Sequence, residues 1–119
     1  MFRFETLEIW KLSREYGRAL FQIGQKLRVA HQYSIADQLE RAGLSSSSNI
    51  VEGSGSTTAN DFKNFLDISI KSTLETVNIL FFVADLGVIS TNERLRLYDK
   101  AEILIKKVRS FKLTVRDLR

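Results

Sequence analysis

The sequence contains no cysteine and no proline, and only one histidine. Without cysteine there is no disulfide, no thiolate nucleophile and no thiolate-ligated metal. The lone His31 removes His-based metal clusters and most catalytic triads. Proline is the residue helix interiors reject, so its absence suits a chain built mainly of long helices. Long apolar runs are missing as well. The densest, Ile79 to Leu86, is far shorter than the roughly 20 residues needed to span a bilayer. Met1-Phe2-Arg3-Phe4-Glu5 leads straight into charged, periodic sequence with no apolar leader. A soluble, cytoplasmic chain without a membrane part is therefore expected.

What is present is ordinary globular composition. The 119 residues are 44% hydrophobic and 27% charged, which excludes a disordered tail or a collagenous repeat and suits one domain over residues 1–119.

Apolar residues recur every three or four positions in four segments, the signature of amphipathic helices. The first runs from about Thr6 to Arg28, with Ile9, Leu12, Tyr16, Ala19, Ile23 and Leu27 as its stripe. The second runs from about Ile35 to Glu52, the third from about Ala59 to Leu86, and the fourth from about Asn92 to Leu118. Tyr98 is placed on the core stripe of the fourth. Ser34, Thr58 and Ser90 each precede an acid by three residues, the pattern of a hydroxyl N-cap with a carboxylate at the positive end of the helix dipole. Gly87 supplies a left-handed stop, and Gly53-Ser54-Gly55-Ser56 is expected to break the second helix from the third. Short connections make successive helices antiparallel neighbours. The expected fold is all-α, an antiparallel up-down-up-down four-helix bundle.

Two helices carry more apolar surface than one core stripe requires. Leu7, Trp10 and Phe21 lie opposite the main stripe of the first, beside Gly17 and Gly24. Leu74, Phe81 and Phe82 widen the apolar side of the third. Either the core of a lone bundle is thick, or a second surface is buried by assembly. Two helix-interior glycines on one face argue that another backbone comes close, and the extra apolar area favours a homo-oligomer using Leu7, Trp10, Phe21, Leu74, Phe81 and Phe82.

Charge is uneven. Residues 1–28 carry six basic and three acidic side chains, residues 29–93 three and eight, and residues 94–119 nine and three. The first and fourth helices are thus the cationic half, and neighbours in an up-down bundle. Basic residues beside a core stripe often do no more than extend into water. They also form a field for a polyanion, through phosphate contacts that position without specifying sequence. The candidates are Arg14, Arg18, Lys106, Lys107, Arg109, Lys112 and Arg116.

Signs of catalysis are weak. Gly53-Ser54-Gly55 lacks the lysine and spacing of a phosphate loop. Glu52, Asp67 and Glu75 offer carboxylates without a nucleophile or metal partner, and His31 sits in an interhelix loop. No enzyme, metal or cofactor is expected.

Phe4-x-x-Leu7-x-x-Trp10, Gln38-Leu39-x-Arg41-Ala42, Ser48-Asn49-Ile50-x-Glu52-Gly53-x-Gly55, Phe62-x-x-Phe65-Leu66 and Ser72-x-x-Glu75 together resemble the bacterial four helix bundle proteins. That family is named for reading frames inside intervening sequences of 23S ribosomal RNA genes. The resemblance marks Gln38, Arg41, Ser48, Asn49, Glu52, Gly53 and Gly55 as motif residues. It implies an antiparallel bundle that can form a homopentameric ring. It also implies kinship with accessory proteins of diversity-generating retroelements, which pair with a reverse transcriptase and RNA. Where the family often has a basic residue after the second glycine, this chain has Ser56. The partners so implied are RNA or a ribonucleoprotein, with a reverse-transcriptase-like protein as the alternative for an adaptor that does not touch nucleic acid.

Overall fold

The computed structural model describes residues 1–118. A 3-10 turn at Arg3–Thr6 precedes four helices: α1 (Glu8–Val29), α2 (Tyr33–Ser54), α3 (Ala59–Asp85) and α4 (Thr91–Lys112). Each helix packs on its chain neighbours, and α4 closes on α1. Two ion pairs fix the direction of closure. Lys107 near the end of α4 meets Glu8 at the start of α1 at 2.8 Å, and Lys26 near the end of α1 meets Glu93 at the start of α4 at 3.4 Å. The up-down-up-down bundle measures 51 × 22 × 21 Å. No strand occurs among the described residues, and no described helix is long and apolar enough to cross a membrane.

Apolar periodicity generates the core as expected. Ile9, Tyr16, Leu20, Ile23 and Leu27 of α1 meet Leu39 and Ile50 of α2, Phe62, Leu66, Leu80 and Val83 of α3, and Leu97, Leu104, Ile105 and Val108 of α4. The ends are set by hydrogen bonds. Thr58 and Ser90 cap α3 and α4, their hydroxyls accepting from Asp61 N–H at 3.2 Å and Glu93 N–H at 3.0 Å. Gly87 takes φ +74° after α3.

Three local expectations are corrected. Ser34 is not a cap, because α2 begins at Tyr33, two residues earlier than expected, and Gln32 is its N-cap. Gly53 does not break α2 but lies within its last turn, where the Phe62 ring and the Phe65 Cβ crowd the space a Cβ would need. The fourth helix stops at Lys112 rather than Leu118. Val115 is nevertheless buried. The chain reaches that site by folding across the bundle end, where Leu118 N–H donates to the Thr57 carbonyl at 2.8 Å and Asp117 Oδ1 accepts from Ala59 N–H at 2.6 Å.

Small residues bring α2 close to both its neighbours. A Cβ on Gly17 of α1 would lie 3.5 Å from the Gly43 carbonyl oxygen of α2. The close backbone signalled by Gly17 therefore belongs to the same chain, and Gly24 makes room for the Glu40 side chain. Hydroxyls fill the α2–α3 seam. Ser46 Oγ lies 2.9 Å from Thr73 Oγ1, Ser69 Oγ donates to the Ser46 carbonyl at 2.8 Å, and Ser45 Oγ meets Ser72 Oγ at 2.8 Å. Every buried side-chain nitrogen or oxygen among the described residues has a partner, so the seam carries none of the cost of an orphaned polar group.

Candidate nucleic-acid interface

The seven candidate cations project from α1, from α4 and from the turn that follows it, but they do not form one surface. Arg14 and Arg18 lie on the α1–α2 side, lining a shallow groove with Gly17, Phe21, Gly43, Leu44 and Ser47. Lys106 and Arg109 line a groove between α3 and α4 with Leu74, Val77, Tyr98, Glu102 and Ile105. Lys107 points the other way, toward α1. The helical repeat explains the split, since the adjacent positions 106 and 107 fall on different sides of α4 while Lys106 and Arg109, three apart, share one.

Ion pairing divides the cations further. Lys107 is held by Glu8 at 2.8 Å and Lys112 by Asp67 at 2.7 Å, while Lys100 approaches Glu15 at 3.9 Å. Arg116 donates to the Leu113 and Val115 carbonyls at 3.2 and 3.0 Å. Arg14, Arg18, Lys106 and Arg109 have no acid partner among the described residues, although the Arg14 guanidinium lies 5.5 Å from the Trp10 ring centroid. At the far end of α1, Arg28 bridges Asp37 and Glu40, and these bonds, with Glu40 first, hold its guanidinium even more firmly protonated than usual.

The apolar candidates also disperse. Leu7 and Trp10 are half-buried against the chain's own core, with Phe4 edge-on to Trp10 at 4.9 Å. Phe21 is exposed beside Arg18, whereas Leu74 and Phe81 are exposed on the α4 side of α3. Phe82 is exposed on the α2 side, in a groove with Ile35, Gln38, Asn78 and Leu86.

Among the motif residues of α2, Asn49, Gly53 and Gly55 serve structural ends. Asn49 Nδ2 donates to the Ser45 carbonyl at 2.7 Å and to Ser45 Oγ at 3.0 Å. Ser48 is half-buried, Gln38, Arg41 and Glu52 are exposed, and Gly55 follows the helix as its C-cap. Asp67 is tied to Lys112, and Glu75 is exposed. His31 takes the left-handed conformation, φ 62°, between α1 and α2, with Nδ1 2.9 Å from Tyr33 Oη.

Tyr98 corrects the sequence reading. It is exposed rather than buried, because Leu97 takes the core position and Tyr98 falls one step round, at the edge facing α3. Its ring stands edge-on to Phe81 at 6.4 Å, and Arg94 covers Phe81 at 4.2 Å. Period counting missed this cluster because its members belong to two helices. Aromatic and basic residues recurring on the facing sides of α3 and α4 were the available signal.

This architecture defines an all-α four-helix bundle. The chain belongs to the 23S rRNA-intervening sequence protein family, whose model matches residues 5–110. Among solved structures, it is similar to a protein of unknown function from the S23 ribosomal protein family of Bacteroides thetaiotaomicron VPI-5482. The two share 21% identity with a TM-score of 0.82, over 87% of this chain and 97% of that one. No curated protein matches the sequence.

Proposed function

We propose that this chain is a non-enzymatic bundle that associates with RNA or a ribonucleoprotein through cations of α1 and α4, working as a homo-oligomer. The observation that carries the reading is the division among those cations. Lys107 and Lys112 are engaged by acids of the same chain, whereas Arg14, Arg18, Lys106 and Arg109 form no ion pair among the described residues. Such side chains gain by releasing counterions from phosphate. Assembly is supported by apolar residues on the outer side of α3, where Ile68, Phe82 and Leu86 stand in water.

The experiment is anisotropy of a labelled structured RNA titrated with the purified protein at increasing salt. The two free cations of either groove predict a log–log slope of roughly −1.5 for each chain that contacts the RNA. Replacing Arg14, Arg18, Lys106 and Arg109 with glutamine abolishes binding, while K107Q has a smaller effect. Absence of binding at low salt rejects the RNA reading. It would favour an adaptor docking a protein, such as the reverse-transcriptase-like partner the family resemblance implies, through Phe21 and Leu44. Light scattering tests assembly separately, and a monomer at micromolar concentration would reject it.

A further inference from the structure

Resting on that reading, the groove between α3 and α4 has a chemistry that a plain phosphate-binding face does not need. Its upper part, about 220 Å³, is lined by Leu74, Val77, Tyr98, Glu102, Ile105, Lys106 and Arg109. A wider part, about 600 Å³, continues past Leu74 and Arg109 to Lys71, Lys112 and Asp67. From Tyr98 to Leu113 the helical rise gives a track of about 22 Å. Three features coincide along it. Tyr98 offers an exposed ring whose neighbour, Phe81, is already covered by Arg94. Lys106 and Arg109 line the same groove about two and three helical turns beyond Tyr98, without acid partners among the described residues. Glu102, the one carboxylate of the upper groove, lies one helical turn from Tyr98.

We propose that this groove takes unpaired RNA, with a base stacked on Tyr98, its phosphates on Lys106 and Arg109, and an exocyclic amino group donating to Glu102. Stacking on an aromatic ring beside a cationic track is how proteins hold single strands. A carboxylate beside the ring favours bases that carry an amino group, because it can only accept. Leu74 and Phe81 then serve as walls of the RNA track, leaving assembly to the Phe82 side of α3.

The test uses fluorescein-labelled oligocytidylate and oligouridylate of about ten nucleotides, a length within known single-strand site sizes, with a blunt RNA duplex and inorganic polyphosphate as competitors. The 119-residue protein is expected to prefer the cytidylate. Y98L should weaken it by about tenfold while leaving polyphosphate competition unchanged, and Y98F should restore it. E102Q should bring cytidylate and uridylate to equal affinity. Circular dichroism and thermal melting establish that the variants remain folded. Equal losses of RNA and polyphosphate in Y98L, or none, would overturn the stacking role. Duplex binding without single-strand binding would overturn this inference and leave the wider RNA reading standing. No binding of either RNA at low salt would overturn both.

Discussion

Gly53 of α2 lies under Phe62 of α3 so closely that a Cβ added to the glycine would stand 2.7 Å from Phe62 Cδ1. The same Cβ would lie 2.9 Å from Phe65 Cβ. Phe62 is itself pinned, with its ring edge-on to Phe111 at 5.6 Å and the Arg3 guanidinium 5.1 Å from its centroid. The ring has nowhere to retreat.

G53A should therefore destabilise the protein by about 2 kcal/mol, because overpacking exceeds the gain in helix propensity. G55A, two residues on, should do the opposite. Gly55 has φ −85°, and a Cβ there meets only the Glu52 carbonyl at 3.4 Å. A gain of about 0.5 kcal/mol from a stiffer unfolded chain is expected. Urea midpoints of the two variants should move in opposite directions.

H31G should also stabilise the protein, by about 1 kcal/mol, by relieving a left-handed backbone at a residue with a Cβ. The bond lost, to Tyr33, is exposed. Thermal melting of the variant measures the gain.

Tyr16 supplies a pH test. Burial pushes its phenol up from 10.0 to about 12, with the Thr76 hydroxyl, 2.7 Å away, opposing the shift. Below pH 10 folded and unfolded chains both keep this proton. Between 10 and about 12 only the folded chain does, so stability falls as pH rises, with a limiting slope of about 1.4 kcal/mol per pH unit. Y16F lacks this contribution. Near neutral pH it should be about 1 kcal/mol less stable than the native chain, through one lost hydrogen bond. That deficit should shrink above pH 10 in urea unfolding curves, and a constant deficit would refute the assignment.

At the bundle end, D117A removes the acceptor for Ala59 N–H. A loss of about 1 kcal/mol, the usual worth of a helix cap, is expected, with faster amide exchange confined to the first turn of α3.

The helices were legible because a 3.6-residue stripe is a local property of the chain. Their limits were less so. Val108, Phe111 and Val115 continue the spacing of a helix, yet Val115 reaches the core after α4 has ended, through contacts with residues some sixty positions earlier. Gly17 and Gly24 announced a close approach without naming what approached. The cationic candidates were legible as residue types but not as a surface. Whether Lys107 or Lys106 is free depends on Glu8, far away in sequence, and on which side of α4 each falls. Tyr98 was misplaced for the same reason.

The helices of this bundle differ in how freely they can vary. α2 is gripped on two sides by glycine and hydroxyl contacts, where one added methyl group disturbs a neighbour. α4 presents Tyr98, Glu102, Lys106 and Arg109 on a side that the core does not use. Mutational drift is therefore penalised along one helix and tolerated along another. Descendants of such a chain can change that outer side while inheriting the same scaffold.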